Sequence, residues 1–303
     1  MTNTVLKVSN LGKDISKKSI LHDINLSLKS QDIYALMGAN GVGKTTLLSV
    51  LSGLVSLEKG TICINENKFD SKEISLSFQT ESLYSYLNSK DNIDLLTLRP
   101  QIALDILKRL NPLEDIFSKK VKYLSYGQKQ RLSLAITLSK NSLVYLLDEP
   151  TNGLDKNSAD NLMTLIKEMS KNGCSFIIVS HEWEIIEKCC NRMGIISNGI
   201  IKKELSLEKD SIPIIRLKTF STIEYDVFQD LLSENMKYQK LADDTVELLF
   251  DSNESLQNFH RELISKNILI EEWRSIKSVE NWRKVYTKLL EEDKNAKYIP
   301  SRK

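Results

Sequence analysis

The sequence has no run approaching the roughly 20 apolar residues that a membrane-spanning helix requires. Its most apolar stretches, such as Tyr34 to Met37 and Phe176 to Val179, are only strand-length, so the chain is not expected to cross a bilayer itself. The opening residues MTNTVLKVSN lack a basic segment followed by an apolar core, so nothing marks the chain for secretion and a cytosolic location is expected. Charge of one sign is missing too. The 42 Lys and Arg face 40 Asp and Glu, and a net charge of +2 gives no electrostatic footprint for nucleic acid, so none is expected as a partner. Cysteine is scarce. Cys63, Cys174, Cys189 and Cys190 form neither a CxxC pair nor a metal-ligand spacing with histidine, and read as reduced, partly buried side chains. His22 and His260 read as surface residues. The 11 glycines are unevenly spread, with none beyond Gly199.

What remains is the composition of a globular protein, 41% hydrophobic and 27% charged, and 303 residues suit one large domain or two ordinary ones. The change of texture after Gly199 favours two. Met193 to Ile196 and Ile200 to Leu205 read as a hairpin turning through Asn198 and Gly199, and the boundary is expected just after it, between about 205 and 212. This divides the chain into 1–208 and 209–303.

In the first part, β-prone runs lead repeatedly into helices: Ile33 to Met37, Ser142 to Leu147 and Phe176 to Ser180. That alternation predicts an α/β domain with a largely parallel sheet. Ser158 to Lys171 has the apolar spacing of a packing face. In the second part the pattern predicts strands at about 212–218, 237–241, 245–250 and 267–273, with helices at 223–234, at 254–266 and from about 279. This is a small α+β domain whose element order resembles the split βαβ pattern of ferredoxin-like modules.

The strongest chemical signal is Gly38-Ala39-Asn40-Gly41-Val42-Gly43-Lys44-Thr45, between a predicted strand and the helical run Thr46 to Leu54. It fits the P-loop pattern. Glycines let backbone N–H groups approach phosphate oxygens, the helix N-terminus adds a favourable dipole, and Lys44 sets a point charge against the β- and γ-phosphates. Thr45 supplies a hydroxyl suited to Mg²⁺, so ATP or another nucleoside triphosphate with Mg²⁺ is the expected ligand. The strand ending at Leu147 runs into two adjacent carboxylates. Asp148 suits the metal, and Glu149, one residue on, suits polarising an attacking water.

Leu124-Ser125-Tyr126-Gly127-Gln128-Lys129-Gln130-Arg131, placed so that Ser125 precedes Asp148 by 23 residues, resembles the signature of ATP-binding-cassette (ABC) ATPases. Gln79, 35 residues after Lys44, looks like that family's Q-loop glutamine; Asn152-Gly153-Leu154-Asp155 resembles its D-loop, and His181 looks like its switch histidine. The ordered motifs cover roughly Ser9 to Leu205. The resemblance implies a P-loop ABC ATPase fold with a helical subdomain, here short, at about 84–135.

It also implies that two such domains pair head to tail with ATP between the P-loop of one and the signature of the other. On that reading Gly38, Asn40, Gly41, Gly43, Lys44, Thr45, Thr46 and Gln79 bind ATP. Thr45, Gln79 and Asp148 serve the metal, and Glu149 and His181 are catalytic. Ser125, Tyr126, Gly127 and Gln128 meet the partner-bound nucleotide, while Asp155 bridges the sites.

Two departures from the family pattern stand out. Tyr126 replaces the first glycine of the commonest signature form, and Ile15 occupies the place of the aromatic residue that usually stacks on adenine. Near the end, Ser278 to Tyr286 resembles a short motif of the drug and bacitracin-type export ATPases. The implied role is the ATP-hydrolysing subunit of an exporter of a drug, peptide or other amphiphile. Such a subunit works at the cytoplasmic face of the membrane with a separate permease chain and a second ATP-binding subunit, here expected to be a second copy. The alternative is a nucleotide-gated ABC ATPase with a regulatory or ribosome-linked role.

Overall fold

In a computed structural model the described residues are 3–16, 18–65, 67–77, 83–111, 116–206, 214–219, 237–250, 253–266, 270–276, 283 and 286–288. The chain divides into two compact units, Met1–Leu205 and Ser206–Lys303.

The first unit is built on a six-stranded sheet whose order places β3 (Ile33–Met37) between β9 (Arg192–Ser197) and β8 (Ser175–Val179). Beyond β8 follow β7 (Val144–Asp148) and β6 (Ile74–Ser77), and β10 (Ile200–Ser206) lies outside β9. The pairs among β3, β6, β7, β8 and β9 are parallel. Parallel strands covered on both faces read as continuous apolar runs, and every residue of β3, β7 and β8 is buried. The expected hairpin forms between β9 and β10, with Asn198 at φ 48° and Gly199 at φ 76°.

A second, antiparallel sheet was not anticipated from the sequence. It joins β1 (Thr4–Ile15), β2 (Lys18–Lys29), β4 (Lys59–Ile64) and the short β5 (Asn67–Lys68) in the order β2-β1-β4-β5. Leu6, Leu11, Leu21 and Leu28 of this sheet share one core with Tyr34, Leu36, Leu146 and Ile177 of the parallel sheet.

Between β3 and β4 runs α1 (Lys44–Leu51), which ends three residues before the expected Leu54. Gly53 at φ 78° turns the chain out of the helix and leaves Leu54 exposed. The helical subdomain consists of α2 (Ser89–Leu96), α3 (Pro100–Leu110) and α4 (Tyr126–Leu138). From Gln130 onward α4 is buried all round, the mark of a central helix. Two further helices, α5 (Lys156–Lys171) and α6 (Trp183–Cys189), follow β7 and β8. All four cysteines are free, with Cys189 and Cys190 buried.

The second unit is a four-stranded antiparallel sheet ordered β12-β13-β11-β14, from β11 (Ile214–Thr219), β12 (Lys237–Ala242), β13 (Thr245–Leu249) and β14 (Ile270–Ile276). Ile215, Leu217, Val246 and Leu248 line one face and form a core with Phe250 and with Phe259 and Leu263 of α7 (Asn253–Ser265). The rings of Phe250 and Phe259 lie 5.3 Å apart at 56°. The helix expected at 223–234 and most of the one expected from 279 lie outside the described residues.

Candidate active site

The parallel sheet brings the sequence motifs together. Because β3, β7 and β8 run the same way, whatever follows each of them lies at the same edge of the sheet, where ligands bind in open α/β folds. After β3 comes the glycine loop 38–43, at the end of β7 the pair Asp148 and Glu149, and after β8 Ser180 and His181.

The glycine loop closes directly onto α1, with Gly43 as its N-cap at φ 110°. A side chain at Gly43 would be strained by that backbone, and its Cβ would lie 2.8 Å from Cδ2 of Leu21. Lys44, 7% exposed, donates from Nζ to the carbonyl oxygens of Gly38 at 2.7 Å and Ala39 at 3.0 Å. The Thr45 hydroxyl donates to Oδ2 of Asp148 at 2.7 Å, joining the two halves of the motif set. These are hard oxygen donors, one of them a buried carboxylate, and they fit a Mg²⁺ ion that takes few protein ligands and shares phosphate oxygens.

Glu149 lines the same space. Its backbone is left-handed, φ 47°, and its N–H is the last rung between β7 and β8, donating to the Val179 carbonyl at 2.9 Å. Oε1 lies 3.3 Å from Nε2 of His181, which is itself 3.5 Å from Nζ of Lys44. Burial raises the Glu149 carboxyl above its ordinary value, with the nearby Asp148 and Glu182 adding to the shift, while the His181 backbone N–H and Lys44 oppose it. Burial, then Lys44, lowers the His181 imidazole, and Asp148 opposes. Burial also lowers the Lys44 ammonium, against Glu149 and Asp148. A carboxylate with a raised proton affinity beside a neutral imidazole is the setting of a general base.

The cavity between these groups has a volume of about 400 Å³. Asn40, Gly41, Gly43, Lys44, Thr45 and Thr46 line it together with Asp148, Glu149 and His181. Ile15, 45% exposed at the tip of the β1–β2 hairpin, lines it as well, as does Ile20. The sequence reading singled out Ile15 and missed Ile20, which carries no chemical signal. Gln79 lies outside the described residues.

The signature residues sit elsewhere. None of Ser125, Tyr126, Gly127 or Gln128 lines this cavity; together they form the start of α4. Ser125 accepts from the Gln128 N–H at 3.3 Å, and the Gln128 side chain accepts from the Ser125 N–H at 2.8 Å, a reciprocal cap. Asp155 caps α5 by accepting from the Ser158 N–H at 2.9 Å, and it also accepts from Arg131 of α4 at 3.3 Å. Tyr126 lies over Gly153: a Cβ there would meet the tyrosine ring at 2.2 Å. Glycine at 153 is therefore what makes room for the aromatic side chain at 126, an arrangement the sequence did not disclose.

A protein-family model described as ABC transporter matches residues 21–152. The lantibiotic transport ATP-binding protein SrtF of Streptococcus pyogenes is 35% identical over 208 residues, 66% of this chain and 91% of its own length. The ABC transporter ATP-binding protein YtrB of Bacillus subtilis (strain 168) is 28% identical over 278 residues, 86% of this chain and 92% of its own. Among solved structures, the dimeric post-hydrolysis ATP-binding cassette MJ0796, bound to ADP and Pi, superposes with a TM-score of 0.60 at 26% identity, covering 66% of this chain and 98% of that one. Likeness of that extent, on a cavity that joins a glycine loop and a lysine to two carboxylates and a histidine, establishes that this chain belongs to the ATP-binding proteins of ABC transporters and is an ABC ATPase.

Proposed function

We propose that the chain powers a separate membrane subunit, with export of a drug, peptide or other amphiphile as its work, and that it acts as a pair of copies at the cytoplasmic face of the membrane. The observation that carries the catalytic part is Glu149 Oε1 at 3.3 Å from His181 Nε2, in one cavity with Lys44 and the glycine loop.

Glu149 takes the proton of the attacking water, and its raised proton affinity suits that role near neutral pH. His181 holds Glu149 on one side and reaches toward the terminal phosphate on the other. Lys44 and the loop N–H groups steady the charge that develops on the transferred phosphoryl group. Thr45 and Asp148 would hold Mg²⁺, with Gln79 as the third protein group assigned to it, and the bound ion would supply charge neutralisation at the phosphate oxygens. Ser125, Tyr126, Gly127 and Gln128 are assigned to the nucleotide of the second copy, and Asp155 to the contact between sites. That MJ0796 is described as a dimer supports the pairing.

Among the described residues no helix is long and apolar enough to cross a membrane, which supports a permease on a second chain. A cavity of about 780 Å³ beside the helical subdomain supports a docking place for it. Leu54 and Leu98 are exposed at its lining, with Lys72, Arg99 and Lys140 around them. The amphiphilic cargo is supported by the relative named for lantibiotic transport, and the outward direction by the resemblance at Ser278 to Tyr286. The second unit is assigned the ferredoxin-like pattern, supported by the order β12-β13-β11-β14, which sets its first and third strands in the middle.

The test is purification of the Glu149→Gln form from gently solubilised host membranes with ATP and Mg²⁺. Loss of hydrolysis together with a stoichiometric multi-spanning partner is the expected result. A form that hydrolyses at the wild-type rate overturns the catalytic assignment, and a pair of copies with no membrane partner overturns the transport assignment.

A further inference from the structure

His181 is 43% exposed in its side chain, yet its imidazole lies within 3.5 Å of both Glu149 and Lys44. An exposed ring loses rotamer freedom when it is held in one place, so something must fix the backbone that carries it. β7 and β8 do so on one side only. Their last rung is the Glu149 N–H to the Val179 carbonyl, and beyond it the two chains part, one into the turn at 149–155 and the other into α6.

A second tie rejoins them past the catalytic pair. The Thr151 hydroxyl donates to Oε1 of Glu182 at 2.8 Å. Thr151 is 5% exposed, so its hydroxyl needs a partner, and Glu182 is the one it has. The Glu182 N–H in turn donates to the hydroxyl of Ser180, 1% exposed, at 3.0 Å, which fixes the short bend on which His181 stands. Glu182 is also the N-cap of α6, a position whose side chain ordinarily accepts from the first turn of its own helix. No such bond is made; the carboxylate reaches across to Thr151 instead.

Two rungs thus close a ring around the reacting pair: the backbone bond Glu149–Val179 on one side, the side-chain bond Thr151–Glu182 on the other. We propose that Thr151 and Glu182 are positioning residues for ATP hydrolysis, which hold the His181 loop so that its imidazole faces Glu149. They act through His181 and touch no nucleotide in this role. The proposal rests on the reading of Glu149 and His181 as the hydrolytic pair.

The test uses the full chain and the variants Thr151→Val, Thr151→Ser, Glu182→Ala, Glu182→Gln and Glu149→Gln. The readouts are kcat and KM for ATP hydrolysis, equilibrium ATP binding, and a thermal melt of each variant. Misplacing a catalytic group by an ångström costs up to about 100-fold. Thr151→Val and Glu182→Ala are therefore expected to lose roughly 10- to 100-fold in kcat, with KM and ATP binding within about twofold. Thr151→Ser and Glu182→Gln, which keep a donor and an acceptor, are expected to recover most of the rate.

Unchanged kcat in Glu182→Ala overturns the proposal. So does a loss shared equally by kcat and ATP binding, or a loss that the Ser and Gln variants do not recover. Glu182 is exposed at the surface, so its variants decide the matter even if Thr151→Val fails to fold. Glu149→Gln separates the two readings. If it is inactive while Thr151→Val and Glu182→Ala turn over normally, only the tie is refuted; if it is fully active, the hydrolytic assignment falls and the tie with it.

Discussion

The two units are made on different plans. In Met1–Leu205 a parallel sheet carries its working residues on the loops that leave its strands, and those loops are rich in glycine, charge and positive-φ backbone. In Ser206–Lys303 the described strands are antiparallel, glycine is absent, and charged side chains pair across the sheet. Arg216 with Glu247 at 2.5 Å and Lys218 with Glu271 at 2.8 Å are such pairs. A fold that must bring backbone to phosphate needs residues that a fold resting on its core does not. The relative YtrB matches 86% of the chain, too much for the first unit alone, so its similarity extends into the second unit.

The contrast is sharpest in hydrolysis. Glu149→Gln is expected to lower the ATPase rate by about 100-fold or more while ATP still binds, as measured by steady-state turnover and equilibrium binding. Arg216→Gln, the removal of a charge from the second unit, is expected to leave both within about twofold. An equal loss from Arg216→Gln would break the division of labour.

In stability the effect runs the other way. Phe259 is 2% exposed and packs against Phe250, so Phe259→Ala should cost about 3–5 kcal/mol in the second unit. A thermal scan should show that unit melting earlier while nucleotide binding by the first unit persists.

A third comparison is pH dependence. Because burial raises the Glu149 carboxyl, the basic form needed for hydrolysis is lost on acidification at a pH above that for an ordinary glutamate. kcat should fall as pH drops through that raised value, whereas unfolding of the isolated second unit should show no matching step.

The smallest expected effect concerns Ile15. A planar ring there should add base stacking worth about 0.5–1.5 kcal/mol, so Ile15→Tyr should lower KM for ATP by roughly two- to tenfold and leave kcat nearly unchanged. An unaltered KM would mean that the base lies away from this hairpin tip.

Much of this was legible in the sequence. The strands β3, β7 and β8 are short apolar runs, each followed by a chemically distinctive residue, and chain direction alone then gathers Lys44, Asp148, Glu149 and His181. The antiparallel sheet was not legible. Register shifts within the pairing of β1 and β2 break the alternation that announces a half-buried strand, leaving Lys13 buried and Ile15 exposed. The end of α1 was misread by three residues although Gly53 was in plain view, because Leu54 and Val55 prolong the apolar spacing past it. Thr151 and Glu182 stand 31 residues apart, and neither is unusual where it stands. Only the neighbouring positions of β7 and β8 make them partners.

Glu149 sits at φ 47°, a conformation that costs a residue with a side chain roughly 1–2 kcal/mol and that glycine adopts without steric penalty. Replacing it with glycine would relieve that strain and yield a chain that folds more readily and does no work. Selection for robustness alone would drift toward that replacement, so a glutamate kept in this backbone pose is the imprint of a different demand. Where laboratory evolution of this protein for heat tolerance is left unchecked by an activity screen, position 149 is a place where function would be surrendered.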